Sequence, residues 1–135
     1  YEIYLGQYSK QINIEANAAL DMVKSLYIPA IIHYTKELAE GIEMLEAVNA
    51  SADVQRDLLS RISTHLESAY RNTRKLESER EKALKISESL KCAEVFRDKV
   101  QVTMTDLRED IDILETLIPR KLWPVPTYAD LLFKL

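Results

Sequence analysis

Residues that make tight turns are scarce in this chain, which has only two glycines and four prolines among 135 residues. Sheets and α/β folds need many such turns to connect short elements, so the scarcity argues against both. Hydrophobic residues make up 47% of the chain and charged residues 30%, which is the balance of a folded protein with one modest core. We therefore predict an all-α fold in which residues 1–135 form a single helical domain.

The first predicted helix carries its apolar residues at every third or fourth position, which places them on one helix face. Pro29 lies within this pattern and leaves its phase unchanged. A proline inside a helix removes one hydrogen bond and crowds the preceding turn, so we expect a kink near residues 26–28. The prediction is one long helix, about residues 1–48, kinked at Pro29, and a complete break there is the alternative. The apolar face consists of Tyr1, Tyr4, Tyr8, Ile12, Ala16, Ala19, Val23, Tyr27, Ala30, Tyr34, Leu38, Ile42, Leu45 and Val48.

Two further helices are predicted after a short turn. Ser51 can cap a helix that begins near Asp53, because its hydroxyl can accept a hydrogen bond from a backbone N–H group of the first turn. The apolar stripe that follows predicts a second helix over about residues 53–88. A third stripe with heptad-like spacing predicts a helix over about residues 92–118, which Pro119 ends.

The turn between the second and third helices has no glycine or proline to mark it, since the sequence there is SESLKC. One continuous helix from Val54 to Ile118 would be about 100 Å long at 1.5 Å per residue, and only another chain could cover its apolar stripe. We therefore expect a turn near residues 88–92. The resulting fold is an antiparallel three-helix up-and-down bundle with long helices. An extended tail rich in proline and aromatic residues, residues 119–135, follows the bundle.

Side chains that carry catalysis or hold cofactors do not form a recognisable motif. Gly6 and Gly41 are isolated, so neither belongs to a phosphate-binding loop. His33 and His65 lie on different predicted helices without the spacing of a metal site, and we expect them to be structural or solvated. Cys92 is the only cysteine, and with no recognisable base beside it we expect an inert thiol. The sequence therefore predicts no catalytic, cofactor-binding or metal-binding residue in this chain.

Several carboxylates lie close together in the stretch LREDIDILE, which contains Glu109, Asp110, Asp112 and Glu115. Such a group suggests a cation site or acid–base chemistry. The apolar residues between them hold the buried face of the predicted helix, however, so most of these acids should face water. We expect a solvated helix face here rather than a metal site.

The net charge of the chain is −4 and its pI is near 5.3, so it lacks the basic field of a nucleic-acid-binding protein. No apolar run approaches the roughly 20 residues needed to cross a bilayer. A single cysteine fits a reducing compartment. We therefore expect a cytoplasmic protein with no nucleic-acid or membrane partner. Because the chain begins at Tyr1, without an initiator methionine and already in a helical pattern, we interpret it as a fragment of a longer protein.

Three tyrosines, Tyr1, Tyr4 and Tyr8, share one face at the start of the first predicted helix, where a three-helix core becomes thin. Aromatic rings with a polar tip suit both a core edge and a partly wet interface. Packing inside the bundle and contact with a partner are both open.

The tail combines prolines with large apolar side chains in the stretch LWPVPTYADLLF. The prolines at positions 124 and 126 keep the chain extended, which reduces the entropy lost when the segment docks. Two arrangements are open: the tail folds back over its own bundle, or it docks on another part of a larger protein. The residues predicted to make this contact are Leu122, Trp123, Pro124, Pro126, Tyr128, Leu131, Leu132 and Phe133.

The tail LWPVPTYADLLF resembles the carboxyl-terminal signature of the type III glutamine synthetases. The segment YLGQYSKQINIEANAALDMVKSLYIPAIIHYTKEL resembles the long helix, with its Ile-Pro or Leu-Pro step, that precedes this signature in the family. A third segment, KCAEVFRDKVQVTMTDLRE, is similar to the family's last long helix. Together the segments span the chain from about Tyr4 to Phe133, and one departure is Ala129, where glycine is expected.

This resemblance implies a parent enzyme that is a glutamate–ammonia ligase, making glutamine from glutamate, ammonia and ATP with magnesium or manganese in large ringed oligomers. Its ATP-binding, metal-binding and catalytic residues would precede Tyr1, so none is carried over onto this chain. The fragment would then be a noncatalytic structural domain, whose tail contacts the catalytic domain of the same chain and neighbouring subunits of a homo-oligomer. The alternative is a free-standing helical adaptor that binds a partner protein through the face of Tyr1 or through the tail.

Overall fold

The fold was analysed in a computed structural model, which describes residues 1–125 of the chain. Within these residues the regular secondary structure is entirely helical, and this confirms the predicted all-α class. Three long helices, here named α1, α2 and α3, pack around one core. The first of them is the longest, as the sequence predicts.

Helix α1 is continuous from its first α-helical part, Glu2–Met22, through a π-helical turn, Val23–Tyr27, to a second α-helical part, Ile28–Ala47. Pro29 directly follows the π-helical turn and has no N–H group to donate to the preceding turn, so the continuous helix lacks one hydrogen bond there. The π-helical turn immediately before it takes up more residues per turn than an α-helix. For this reason the buried residue after it is Ile31, one position later than the Ala30 of the predicted face.

The connection from α1 to α2 is a compact helix cap followed by a short extended stretch. Asn49 adopts the left-handed conformation, with φ of 60°. Its backbone N–H group donates to the carbonyl of Glu46 at 3.0 Å, and that of Ala50 donates to the carbonyl of Leu45 at 2.8 Å. These two bonds satisfy carbonyls at the end of α1 in the pattern of a Schellman motif. The hydroxyl of Ser51 then accepts a hydrogen bond from the Asp53 N–H group at 3.4 Å.

Helix α2 comprises Asp53–Leu84, and α3 begins at Ser89. A turn over residues 85–88 separates them, so the two stripes do not form one continuous helix. The second helix ends four residues earlier than the predicted boundary, because Glu88 is extended and precedes the first turn of α3. The reversal brings the Sγ atom of Cys92 within 3.4 Å of the Ala83 carbonyl oxygen.

Helix α3 also contains a π-helical turn, Phe96–Gln101, between α-helical parts at Ser89–Val95 and Val102–Leu117. The helix stops before Pro119, since the residue preceding a proline disfavours the helical conformation. Ile118 is accordingly extended. A short 3₁₀ turn, Arg120–Leu122, follows.

The buried apolar residues of the three helices do not all recur at the same spacing. In α2 and α3 one series of buried apolar residues recurs at every seventh position, as in coiled coils. In α1 the buried residues from Ile12 to Val23 follow steps of four, four and three, and the later ones follow steps of eight, seven and four. The seven-residue series are Ile62, Ala69, Leu76 and Ala83 in α2, and Ala93, Val100, Leu107 and Leu114 in α3, where Phe96 and Ile111 are also buried. The buried residues of α1 are Ile12, Ala16, Leu20, Val23, Ile31, Leu38 and Ile42.

Candidate interaction site

The predicted contact residues begin directly after α3, where the chain turns back onto the bundle. The N–H group of Leu122 donates to the Pro119 carbonyl at 2.9 Å, and that of Trp123 donates to the Arg120 carbonyl at 3.1 Å. These bonds close one tight turn beyond the last residue of the helix. The turn directs the side chain of Trp123 to the bundle.

Trp123 is a core residue of this chain, with only 7% of its surface exposed. Its ring packs on that of Tyr27, with ring centroids 4.9 Å apart and an angle of 35° between the planes. Tyr27 closes the π-helical turn of α1. Burial raises the pKa of the Tyr27 phenol above its usual value of 10.0, and the negative charges of Glu115 and Asp112 raise it further.

The indole Nε1–H group of Trp123 is buried, yet it meets no hydrogen-bond acceptor among residues 1–125. A buried donor without a partner costs roughly 1–3 kcal/mol. Tryptophan is normally placed where its N–H group reaches a partner. This end of the bundle is therefore the place where a further polar contact would stabilise the protein.

The other predicted contact residues divide into two groups. Leu122 is half-buried against the core, and Pro124 is exposed. Leu122 and Trp123 thus pack on the chain's own bundle, which is the fold-back arrangement for this part of the tail. The remaining predicted contacts, Pro126, Tyr128, Leu131, Leu132 and Phe133, lie outside the described residues.

A polar cluster between α2 and α3 was not expected from the sequence. Asp110 is buried, and its carboxylate accepts hydrogen bonds from the hydroxyl of Ser68 at 2.7 Å and the amide of Asn72 at 3.0 Å. The Nδ1 atom of His65 lies 3.4 Å from the same carboxylate. The signal in the sequence is the heptad spacing of Phe96, Thr103, Asp110 and Leu117, which puts Asp110 on the inner face of α3.

This cluster joins α2 and α3 by side-chain hydrogen bonds. Ser68 and Asn72, on successive turns of α2, donate to the carboxylate, and the His65 ring lies beside it, so the carboxylate has its partners within the bundle. No group of three or more potential metal ligands occurs within residues 1–125. The second histidine, His33, makes a surface contact of 3.3 Å with Glu37 on its own helix.

A groove of about 690 Å³ lies between α1 and α2. Its apolar floor includes Ile28, Ile32, Leu66 and Tyr70. An ion pair between Lys24 and Glu77, 3.2 Å long, crosses between the two helices beside it. Apolar residues with a charged margin suit contact with another protein segment better than the binding of a small polar substrate.

The start of α1 extends away from the rest of the bundle. Tyr1 and Tyr4 are largely exposed, whereas Tyr8 is half-buried and donates its hydroxyl hydrogen bond to Gln101 at 3.1 Å. The three tyrosines of the predicted face therefore have two different environments. Elsewhere, the described helices include none that is long and apolar enough to cross a membrane.

Comparison with known proteins points to one family. Residues 1–46 match the family model described as the glutamine synthetase C-terminal domain. A glutamine synthetase of Butyrivibrio fibrisolvens is 28% identical over 137 residues, which cover 100% of this chain and 20% of the relative. The type-3 glutamine synthetase of Dictyostelium discoideum is 28% identical over 156 residues, covering 98% of this chain and 19% of the relative.

A glutamine synthetase of Bacteroides fragilis is 25% identical over 139 residues, again with 98% of this chain and 19% of the relative covered. No solved structure matches the chain significantly. The chain thus spans about a fifth of the length of the curated relatives it matches. These matches confirm the resemblance predicted from the sequence: the chain is similar over nearly its whole length to about a fifth of several glutamine synthetases, a type-3 enzyme among them, and its first 46 residues match the model of their C-terminal domain.

Proposed function

We propose that this chain is the noncatalytic helical carboxyl-terminal domain of a type III glutamine synthetase, and that it serves in the assembly of that enzyme. The observation that carries the proposal is the extent of the matches. Nearly the whole chain aligns with glutamine synthetases, but it accounts for only about a fifth of each. The remaining four fifths are the natural place for the active site.

The parent enzyme, in this proposal, joins ammonia to glutamate at the expense of ATP in the cytoplasm. Phosphoryl transfer of this kind depends on holding nucleotide, divalent metal and both substrates together. We place ATP, magnesium or manganese, and the catalytic residues in the part of the parent chain that this sequence does not match. The three-helix domain then contributes contacts rather than chemistry.

We also infer the finer architecture of the domain, an antiparallel up-and-down bundle with a kink in α1 at Pro29. Contacts beside each connection support the inference. Arg56 pairs with Glu46 across the first connection, and Cys92 contacts Ala83 across the second. The π-helical turn before Pro29 is the local irregularity at which the axis of α1 would bend.

The tail is proposed to anchor the domain to the catalytic domain of the same chain and to neighbouring subunits of a homo-oligomer. Trp123 and Val125 pack on the bundle, so we place the docking segment after them, from Pro126. Two features support a contact at this end: the unpaired indole N–H group of Trp123 and the large apolar side chains that follow in the sequence. A protein segment that buries those side chains can also supply an acceptor to the indole.

The test compares the 135-residue chain with the longer chain that carries it at its carboxyl end. Glutamine formation from glutamate, ammonia and ATP is measured for both, with magnesium or manganese present. We expect turnover by the longer chain and none above buffer by the 135-residue chain. Turnover by the short chain, or a reading frame that begins at the first helix as a free-standing adaptor would, refutes the proposal.

A further inference from the structure

The first turn of α1 exposes three large apolar side chains together. Tyr1 is 83% exposed, Ile3 is 79% exposed and Tyr4 is 71% exposed. Single exposed apolar residues are normal on protein surfaces, but three within four consecutive positions form a patch. Exposing these apolar side chains to water is unfavourable, and a surface that covered them would remove this unfavourable free energy.

This patch covers about half of the circumference of the helix. Successive residues of an α-helix are about 100° apart, so Ile3 lies about 100° from Tyr4 and about 160° from Tyr1. Glu2 is exposed and lies on the remaining side, between Tyr1 and Ile3. A single neighbouring helix cannot cover so wide an apolar arc. The partner must therefore form a pocket that is open on the side of Glu2 rather than a flat contact.

The bundle leaves the first four residues exposed. Leu5 is half-buried, Tyr8 donates its hydroxyl hydrogen bond to Gln101, and the fully buried residues of α1 begin at Ile12. Burial along α1 therefore begins at Leu5, after the turn.

The chain's own tail is also a poor candidate for covering the turn. Trp123 is fixed against Tyr27, which lies 26 positions after Tyr1, about 39 Å along a helix at 1.5 Å per residue. The chain from Trp123 to its last residue, Leu135, spans at most about 43 Å when fully extended. The tail would have to be stretched almost completely to arrive, which would leave none of it folded against the turn.

We infer that Tyr1, Ile3 and Tyr4 lie in an apolar pocket of the catalytic part of the parent enzyme, which is open on the side of Glu2 and is formed by the polypeptide that directly precedes the turn. This inference rests on the proposed function, in which about four fifths of the enzyme precedes the chain. Covalent continuity keeps that polypeptide at high effective concentration beside the turn. The two phenols require hydrogen-bond acceptors or water at the margin of the pocket, with an apolar interior between them.

The domain then has two anchoring points at separate ends of the bundle. The first is the turn at Tyr1, where the domain joins the preceding polypeptide. The second is the tail after Trp123. A rigid helix between two anchors fixes the orientation of the domain, whereas one flexible attachment would leave it free to rotate.

The experiment uses the full-length enzyme and the variant Ile3→Lys, with Val54→Lys as a matched control. Val54 lies in the first turn of α2 and is 78% exposed, so the two changes place the same charge on equally exposed apolar positions. We expect Ile3→Lys to lower the Tm of the full-length enzyme by about 2 °C or more, while Val54→Lys leaves it unchanged. In the 135-residue chain neither variant should change the Tm. Equal effects of both variants in the full-length enzyme would overturn the inference.

Hydrogen exchange gives a second readout. Backbone amides of residues 3–8 should exchange more slowly in the full-length enzyme than in the 135-residue chain, because enclosure suppresses fraying of the first turn. Equal exchange would show that the turn is open to solvent. If the turn is already protected in the short chain in a concentration-dependent way, a second copy covers it, and the inference is wrong. An active enzyme with an open turn refutes only this inference, whereas a full-length chain without glutamine synthesis refutes the proposed function.

Discussion

Asp110 illustrates how a single side chain can bind two helices together. Its buried carboxylate accepts hydrogen bonds from Ser68 and Asn72 on α2. Replacing it with alanine removes these bonds and leaves the donors unpaired. We expect Asp110→Ala to lower the free energy of unfolding by about 2–3 kcal/mol, measured by urea denaturation followed by far-UV circular dichroism. Glu109→Ala, at the exposed neighbouring position, is the control and should cost under about 0.5 kcal/mol. Equal denaturation midpoints for the two variants would show that the cluster contributes no stability.

The burial of Asp110 could have been predicted only by giving the repeat more weight than the residue type. Periodicity alone places position 110 inside, with Phe96 and Thr103, but an acidic residue normally faces water. Whether Asp110 is buried or faces water depends on the hydrogen-bond donors that the facing helix provides. Those donors are on α2, about forty residues away, and one sequence does not state which turns of two helices face each other.

Tyr27 makes stability depend on pH at the alkaline end. Its pKa is raised in the folded protein by burial, then by Glu115 and Asp112, so the unfolded chain loses this proton at lower pH. The stabilisation from the raised pKa is complete below the unfolded value near 10 and is lost as pH rises through the folded value. The free energy of unfolding should therefore decrease above about pH 10, and less steeply in Tyr27→Phe than in the unchanged protein. The exposed Tyr70→Phe variant is the control, and a slope for Tyr27→Phe identical to that of the unchanged protein would contradict the assignment.

At the scale of the helices, the connection between α1 and α2 depends on one residue. Asn49 has a positive φ, a conformation that asparagine and glycine tolerate and that costs other residues roughly 1–2 kcal/mol. We expect Asn49→Ala to lower the free energy of unfolding by about 1 kcal/mol and Asn49→Gly to leave it nearly unchanged. Chemical denaturation of both variants tests this. Equal losses for alanine and glycine would mean that the Asn49 side chain, rather than its backbone conformation, stabilises the turn.

The three helices could largely be predicted from the sequence, but their irregularities could not. Apolar periodicity and the absence of turn-forming residues led to three helices, which the structure contains. The break over residues 85–88 carries no glycine or proline, so its position could not be read locally. The π-helical turns at Val23–Tyr27 and Phe96–Gln101 depend on how each helix adjusts its repeat to its neighbours. That adjustment is a property of the packed bundle.

The candidate site was predicted in part. The sequence marked Trp123 as a contact residue because of its place between prolines and apolar side chains. It could not decide whether the contact was internal or external, since both bury the same ring. The structure places Trp123 against Tyr27 of its own bundle and Val125 against the same core, so the proposed docking segment follows Val125. The turn at Tyr1 shows the reverse situation, an apolar helix end that residues 1–125 leave exposed.

At the scale of the whole molecule, our proposals describe the domain as a helical unit held at two ends. Its resemblance to glutamine synthetases extends over nearly the full chain at 25–28% identity. In this account the domain contributes to activity indirectly, through the assembly that brings subunits together.

The most direct test of this account is the mass of the full-length enzyme assembly after removal of residues 126–135. Trp123 and Val125 are retained, so the bundle keeps its core, and the same truncation of the 135-residue chain should leave its far-UV helical signal nearly unchanged. We predict that the truncated enzyme forms smaller or less stable assemblies by light scattering at matched concentration. An assembly of unchanged mass and stability, formed by an enzyme that lacks these residues, would contradict the claim that the tail holds the domain in place.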